Sequence, residues 1–98
     1  MNHVGFHPEA RAEFLKSVRY YEDQQPGLGR RFLDAVRYAT SRIAQFPDAG
    51  PVLEPGIRQF RVQRYPFGLV YRHRPDGIEV VAVMHLHRQP GYWRERLG

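Results

Sequence analysis

Apolar residues at helical spacing mark two stretches in the first half of the chain. Between Glu9 and about Asp23, after a proline suited to a first helical turn, the apolar stripe consists of Ala10, Phe14, Val18 and Tyr21. The second stretch runs from about Leu28 to Phe46, and its stripe consists of Leu28, Phe32, Ala35, Val36, Ala39, Ile43 and Phe46. The intervening residues 24–29, QQPGLG, disfavour helix. The pattern therefore predicts two antiparallel helices joined by a short turn.

The apolar spacing changes to a period of two in the second half, which is typical of strands. A strand over residues 57–65 is predicted to place Arg58, Phe60, Val62 and Arg64 on one face and Gln59, Arg61, Gln63 and Tyr65 on the other. Strands over 67–74 and 78–87 follow, joined by the turn PDG. In the last strand, Ile78, Val80, Ala82, Met84 and Leu86 should face one way and Glu79, Val81, Val83, His85 and His87 the other.

A short strand over residues 4–7 and a Pro- and Gly-rich loop over 47–56 complete the order β-α-α-β-β-β. This order predicts a two-layer α+β fold in one domain spanning residues 1–98, with the helical hairpin packed on one face of a small antiparallel sheet. The opposite face is partly polar, so it either meets water or binds something.

Candidate chemistry concentrates near the end, in AVMHLHRQPGYWRER, residues 82–96. Arg61, Gln63, His85 and His87 are predicted to point away from the helices, and Arg88, Tyr92 and Trp93 follow the last strand. If the strand register brings 61–65 near 85–92, the result is a basic, aromatic-lined groove that offers arginine forks to phosphates and rings to bases. Alternatively, the arginines are solvated, the histidines have no chemical role and Trp93 closes the core.

The two histidines suit general acid–base chemistry near neutral pH. Metal binding is disfavoured because the chain has no cysteine and no obvious third ligand on this face. We expect neither a metal nor another cofactor.

The charge of the chain adds an anionic partner to this picture. The 98 residues have a formal net charge of +5, and 14 of the 15 basic residues are arginine. GC-rich codon usage also favours arginine, but net positive charge suggests a nucleic acid or an acidic protein. The absence of cysteine, of a signal peptide and of a membrane-spanning apolar run predicts a cytoplasmic protein without membrane contact.

Five pieces of sequence resemble the RelE/ParE superfamily of toxins from type II toxin–antitoxin modules. In order they are FHPEARAEF, YYEDQQPGLGRRF, IAQFPDAGP, RVQRYPFGLVYR and VVAVMHLHRQPGYWRER, and together they span nearly the whole chain. The resemblance implies the same fold and a growth-inhibiting toxin, sometimes serving plasmid stabilisation. It also implies a cognate antitoxin that folds on the toxin and through which oligomers can form.

The superfamily implies two mechanisms. ParE-like members poison DNA gyrase by binding, whereas RelE-like members cleave messenger RNA on the ribosome without a metal, using the 2′-hydroxyl as nucleophile. For cleavage, the resemblance implies Arg61, His85, Arg88 and Tyr92 as catalytic residues. For binding nucleic acid or the target, the candidates are Arg58, Arg61, Arg64, His87, Arg88 and Trp93.

Gly68 stands where RelE carries a further arginine, and the YPFG turn and the helix break resemble the ParE side. Gyrase poisoning is therefore our first hypothesis and ribosome-dependent cleavage of messenger RNA the second. The third is an inactive member of the superfamily or a small basic protein that binds nucleic acid.

Overall fold

Two helices pack on one face of a five-stranded sheet in the computed structural model, which describes residues 2–98. The elements are β1 (Val4–Phe6), α1 (Pro8–Gln24), α2 (Leu28–Gln45), β2 (Val52–Glu54), β3 (Ile57–Arg61), β4 (Phe67–Arg74) and β5 (Gly77–His85), followed by a 3₁₀ turn over Arg94–Leu97. The strand order is β1-β5-β4-β3-β2. The predicted two-layer α+β class is confirmed. The predicted domain spans residues 1–98, and residue 1 lies outside the residues that the structure describes.

The sheet is mixed, which corrects the expectation of a purely antiparallel one. β1 runs parallel to β5. A parallel pair cannot be joined by a tight turn, and here the connection between the two strands includes the helical hairpin and β2 to β4. The remaining neighbours are antiparallel. The predicted loop over 47–56 contains β2, a three-residue edge strand between two prolines, which is too short to be recognised by alternation.

Local capping explains where the helices begin. At the start of α1, His7 Nδ1 accepts a hydrogen bond from the backbone N–H of Glu9, and Pro8 occupies the first turn. The Glu22 carboxylate of α1 accepts from the backbone N–H groups of Gly27 and Gly29 at the start of α2. Gly27 has φ of 90°, a conformation in which glycine is unstrained. The hairpin is therefore closed by an acidic side chain at the helix N-terminus, where the macrodipole favours it.

Each face of the sheet has its own buried cluster. The helix-side cluster contains Ala10, Phe32, Val36, Ala39, Ile43, Val62, Phe67, Leu69, Tyr71, Ile78, Val80 and Val83. The opposite cluster contains Ile57, Val70, Val81, Ala82, Met84 and Trp93. The C-terminal segment thus covers part of the second face, which was predicted from its partly polar sequence to meet water or to bind something.

A β-bulge in β5 overturns the predicted faces of its second half. Val70 pairs with Ala82 and Tyr71 pairs with Val80, so Val81 is an extra residue in the ladder. Beyond it the alternation shifts by one residue. Ala82 and Met84 therefore face the C-terminal segment, and Val83 turns to the helix side, contrary to our prediction.

The strand predicted over 57–65 ends earlier, at Arg61. Residues 62–66 form a turn in which Arg64 adopts a positive φ of 71° and the N–H of Val62 donates to the carbonyl of Phe67. Alternation does not continue through a turn, so Tyr65 packs against the helix-side cluster rather than sharing a face with Arg61.

Candidate functional site

The antiparallel register gathers the candidate residues at one end of the sheet. Arg61 is paired with Gly68, Gly68 with Met84 and Phe67 with His85. The N–H of Leu86 donates to the carbonyl of Pro66, which extends this neighbourhood beyond the strands. We call the group Arg61, Arg64, His85, His87 and Arg88 the cationic end. The predicted proximity of 61–65 to the segment after β5 is therefore present at the level of the backbone.

The members of the cationic end do not share one face, however. Arg61 alternates with Phe60, which packs toward the helices, so Arg61 points away from them as predicted. His85 was predicted on that same face, and this is wrong. The bulge turns His85 toward α1, where its ring lies 5.1 Å from that of Phe67. His87 follows the end of β5 in a turn, with its ring centroid 5.3 Å from that of His85.

Two other predicted binding residues have different surroundings. Arg58 is held by the loop before β2: its Nη1 donates to the carbonyls of Asp48 and Gly50 at 3.1 and 2.8 Å. Its guanidinium is thereby occupied with fixing a loop. Trp93 is 1% exposed and belongs to the second cluster, so its ring is not available at the surface.

Arg88 and Tyr92 form a close pair after β5. The Arg88 guanidinium carbon lies 4.1 Å from the centre of the Tyr92 ring, and that of Arg96 lies 5.1 Å from the same ring. A cation over a tyrosine face at such distances is attracted by the ring quadrupole. The half-buried Tyr92 ring therefore positions the exposed Arg88 side chain.

Tyr92 is in turn fixed by α1. Its hydroxyl donates to Glu13 Oε2 at 2.7 Å, while Arg96 donates from Nη1 to Glu13 Oε1 at 2.9 Å and from Nη2 to Oε2 at 3.0 Å. The side chains of Glu13 and Arg96 are only 17% and 9% exposed. We call Glu13, Tyr92 and Arg96 the clasp, because they join α1 to the C-terminal segment.

The clasp also supplies hydrogen-bond partners to backbone groups at the edge of β5. β1 pairs with β5 only at Ile78 to Val80, which leaves backbone groups farther along without a strand partner. Glu13 Oε1 accepts from the N–H of Val83 at 3.0 Å, and Arg96 Nη1 donates to the carbonyl of Val81 at 2.9 Å. Two side chains thus replace a neighbouring strand, which removes the cost of unpaired buried backbone groups.

The surroundings of the clasp oppose ionisation of Tyr92. Burial, followed by the hydrogen bond to the Glu13 carboxylate, raises the pKa of Tyr92 far above its usual range. The hydrogen bond from Arg96 to the same carboxylate raises the pKa of Arg96 as well. At neutral pH the phenol is therefore protonated, and its proton is directed at Glu13.

A cleft of about 580 Å³ opens between α1 and the ends of β4 and β5. It is lined by Glu13, Lys16, Ser17, Tyr20, Tyr21, Pro66, Phe67, Val83, His85 and Arg88, and we call it the α1 cleft. Its size is in the range of ligand pockets. Arg88 belongs both to this cleft and to the cationic end.

Sequence reasoning missed Glu13, Lys16 and Arg96. Glu13 sits beside the apolar stripe of α1, one residue before Phe14, and a carboxylate at such a border is a weak signal of an internal partner. Its partner Arg96 is 83 positions away, so the pair could not be inferred without the fold.

Comparison with known proteins assigns the chain to a family. The sequence profile of the "ParE toxin of type II toxin-antitoxin system, parDE" matches residues 4–90. The chain belongs to the ParE toxin family. The predicted membership of the RelE/ParE superfamily, on the ParE side, is thereby confirmed, and this ParE-family chain is the toxin of a type II system, for which the family implies an antitoxin partner.

A solved structure shares the fold of this ParE-family chain. It is a chain of the chromosomal ParDE TA system from P. aeruginosa, with a TM-score of 0.75 and 18% sequence identity over 87% of this chain and 96% of that chain. No curated protein matches the sequence significantly. Within residues 2–98, no helix combines the length and apolar character required to cross a bilayer.

Proposed function

We propose that this ParE-family toxin poisons DNA gyrase by binding, and that the cationic end contacts the gyrase–DNA complex. Gyrase is the target that the family implies. We place the action in the cytoplasm, where gyrase works, and we expect an antitoxin encoded beside the toxin to neutralise it.

The register of β3, β4 and β5 is the observation that carries the proposal. It collects Arg61, Arg64 and Arg88 at one sheet end, and none of these forms an ion pair within residues 2–98. Five other arginines each have a carboxylate partner, namely Arg30, Arg58, Arg72, Arg94 and Arg96. The remaining arginines without an ion pair in residues 2–98 lie on the two helices or, in the case of Arg74, at the opposite end of β4. Arginines without carboxylate partners, gathered at one site, attract an anionic surface and steer its approach.

The arrangement favours binding over cleavage of messenger RNA. General acid–base catalysis requires a group that can reach the reacting atoms and exchange a proton with them. The Tyr92 hydroxyl is committed to Glu13, and His85 faces α1 whereas Arg61 points to the other side of the sheet. At Gly68, the space a side chain would enter is filled by Gln59, whose Cδ would lie 2.9 Å from an added Cβ.

Supercoiling by purified gyrase in the presence of the chain tests the proposal. We expect the wild-type chain to inhibit supercoiling and to trap cleaved DNA, and the Arg61→Ala/Arg88→Ala variant to require about tenfold more protein for the same effect, because two charge contacts are lost. Arg37→Ala, an exposed arginine of α2, serves as control and should behave as wild type.

Primer extension on a translated message is the companion measurement. Message cleavage by the wild-type chain without any effect on gyrase would overturn the proposal in favour of the ribonuclease hypothesis. Equal gyrase inhibition by the double variant and the wild type would show that the cationic end is not the contact surface.

A further inference from the structure

We propose that a notch in the sheet, between the loop that follows α2 and the end of β4, binds a small phosphate monoester. The notch lies toward the opposite end of β4 from the cationic end, so the inference goes beyond the proposed function and does not depend on gyrase as the target. We call this cavity the β4 notch. Its lining includes the polar residues Asp48, Arg58, Arg72 and His73 and the apolar residues Val52 and Ile57.

The unequal lengths of β3 and β4 create the β4 notch. The last pair between these strands is Arg58 with Tyr71, whereas β4 continues to Arg74 beside β5. Within residues 2–98, no strand pairs with β4 on its β3 side beyond Tyr71, and a cavity of about 340 Å³ opens there. This volume lies at the lower end of the range for pockets that hold small ligands.

The loop that forms one wall of the β4 notch is fixed by hydrogen bonds. The Tyr71 hydroxyl donates to the carbonyl of Pro47 at 2.7 Å and accepts from the N–H of Gly50 at 3.1 Å. Arg58 Nη1 donates to the carbonyls of Asp48 and Gly50. Gly50 permits this close approach, because an added Cβ would lie 2.9 Å from the Tyr71 hydroxyl oxygen. A ligand thus enters a site that is already formed, which lowers the entropic cost of binding.

The Asp48 carboxylate marks a position for an anion in the β4 notch. Its Oδ1 lies 3.6 Å from Arg58 Nε and 3.8 Å from His73 Nε2, and both distances are longer than a hydrogen bond. The Asp48 side chain is 81% exposed, whereas that of Arg58 is 29% exposed. An exposed carboxylate at such distances contributes little to stability, so a stronger acceptor that enters the notch displaces it into solvent.

Unused hydrogen-bond donors belong to the cations that line the β4 notch. Arg58 uses Nη1 to hold the loop, and Arg72 uses Nε for Glu79 and Nη1 for the carbonyl of Leu97. Within residues 2–98, the Nη2 group of each arginine and Nε2 of His73 have no hydrogen-bond partner. A guanidinium that is held in place by some of its N–H groups and keeps others free is suited to phosphate oxygens.

The charges of the lining favour a phosphate monoester over a carboxylate. A carboxylate has two oxygens and is satisfied by one arginine fork, whereas a phosphate monoester has three terminal oxygens and carries up to two negative charges. The lining holds two arginines and a histidine against one carboxylate, so it compensates a dianion better than a monoanion. Val52, which is 61% exposed, and Ile57 supply an apolar wall for the organic part of the ligand.

Titration calorimetry of the full chain with adenosine 5′-monophosphate and with inorganic phosphate tests the proposal. We expect a dissociation constant on the order of 1 mM or lower for the nucleotide. Arg58→Gln should weaken binding about tenfold, because it removes a charged donor from the anion position. Since Arg58 also holds the loop, His73→Gln is the second variant. It removes no hydrogen bond of the folded chain and should weaken binding about threefold.

Asp48→Asn tests the proposal in the opposite direction. This change removes the carboxylate that competes with phosphate and keeps the backbone carbonyl that accepts from Arg58, so binding should become about threefold tighter. Asp76→Asn and Arg74→Gln are the matched controls, because both residues lie near the turn between β4 and β5 and neither lines the β4 notch. Each control should change the affinity less than about twofold.

The proposal is overturned if the nucleotide binds more weakly than about 10 mM, or if Asp48→Asn fails to tighten binding. It is also overturned if acetate binds as tightly as inorganic phosphate, since the site would then select any anion. The oligonucleotide dT12 without a terminal phosphate is the last probe. Tighter binding of dT12 than of the nucleotide, with the same dependence on Arg58 and His73, would assign the notch to a nucleic-acid strand instead.

Discussion

The two faces of the sheet are covered in physically different ways. On one face, α1 and α2 supply 17 and 18 residues of regular helix, and their apolar stripes bury Phe32, Val36 and Ile43. On the other face, a short C-terminal segment with one 3₁₀ turn buries Trp93, and only Tyr92 and Leu97 pack beside it, both partly buried. The first covering is held by apolar burial over a large area, and the second depends on a few polar contacts.

Three arginines make most of those polar contacts. Arg96 joins the segment to Glu13, Arg72 Nη1 donates to the carbonyl of Leu97 at 2.9 Å, and Arg94 pairs with Glu54 at 2.9 Å. Arg88 and Tyr92 lie on this second covering. The comparison teaches that Arg88, one of the residues proposed to bind the target, sits on the weaker layer and obtains its position from the stronger one through Tyr92 and Glu13.

Truncation of a side chain in the helix-side cluster should have the largest effect on the free energy of unfolding. Phe32 has no exposed surface and contacts the rings of Tyr21, Tyr65 and Phe67. We expect Phe32→Ala to lower the free energy of unfolding by about 3–5 kcal/mol. Urea denaturation should show the helix circular dichroism and the Trp93 fluorescence disappearing together, because the second layer cannot persist without the sheet and helices beneath it.

Leu15→Ala on the outer side of α1 is the matched control. Leu15 is 46% exposed, so its truncation should cost less than about 1 kcal/mol. If Phe32→Ala costs no more than Leu15→Ala, the assignment of most stability to the helix-side cluster is wrong.

Removal of the Glu13 carboxylate should cause the two layers to unfold at different urea concentrations. Glu13→Ala leaves Arg96, 9% exposed, without its main partner, and frees the Tyr92 hydroxyl. We expect a loss of about 2–3 kcal/mol, at or below the lower end of the range for broken buried pairs because both groups retain some solvent contact. Trp93 is the sole tryptophan, so its fluorescence reports the second layer and should change at lower urea than the helix signal.

Glu9→Ala controls for the removal of an acidic residue from α1. Glu9 also approaches Arg96, at 3.8 Å, but is 68% exposed, so its loss should change stability by less than about 0.5 kcal/mol. Coincident fluorescence and circular dichroism transitions in Glu13→Ala would contradict the idea that the clasp couples two layers of unequal stability.

The sequence predicted the helix layer well, because its determinants are local. Phe32, Val36 and Ile43 recur at helical spacing, and the break at residues 24–29 is visible in its proline and glycines. The α+β class and the order of the six predicted elements followed from the change of apolar period alone.

The second layer was less predictable because its determinants are distant in sequence. The bulge at Val81 has no signature in a run of valines, yet it reverses the faces of Val83 and His85. The hydrogen bond from Tyr92 to Glu13 spans 79 positions. The sequence does not specify the strand register, so the proximity of residues 61–65 to residues 85–92 could be predicted only for one assumed register. The spacing of residues also does not indicate which carboxylate faces the C-terminal segment.

The smallest expected effect is the loss of unfolding free energy at alkaline pH, and it tests the hydrogen bond within the clasp directly. Burial and the Glu13 hydrogen bond raise the pKa of Tyr92 in the folded chain above its ordinary value of 10.0. A raised folded pKa contributes stability that is complete below pH 10 and is lost as pH rises above it, since the unfolded chain then releases the proton first. Between pH 9 and 11, wild type should lose about 1 kcal/mol more than Tyr92→Phe.

Tyr38→Phe, which alters a phenol 48% exposed on α2, should lose as much stability over this interval as the wild type does. Tyr21 and Tyr71 also have pKa values raised by burial, so part of the alkaline loss remains in every variant. If Tyr92→Phe instead follows the wild-type profile, the phenol is not bound to Glu13 in solution. Its hydroxyl would then be free to exchange a proton with a bound substrate, and the argument against message cleavage would lose its main support.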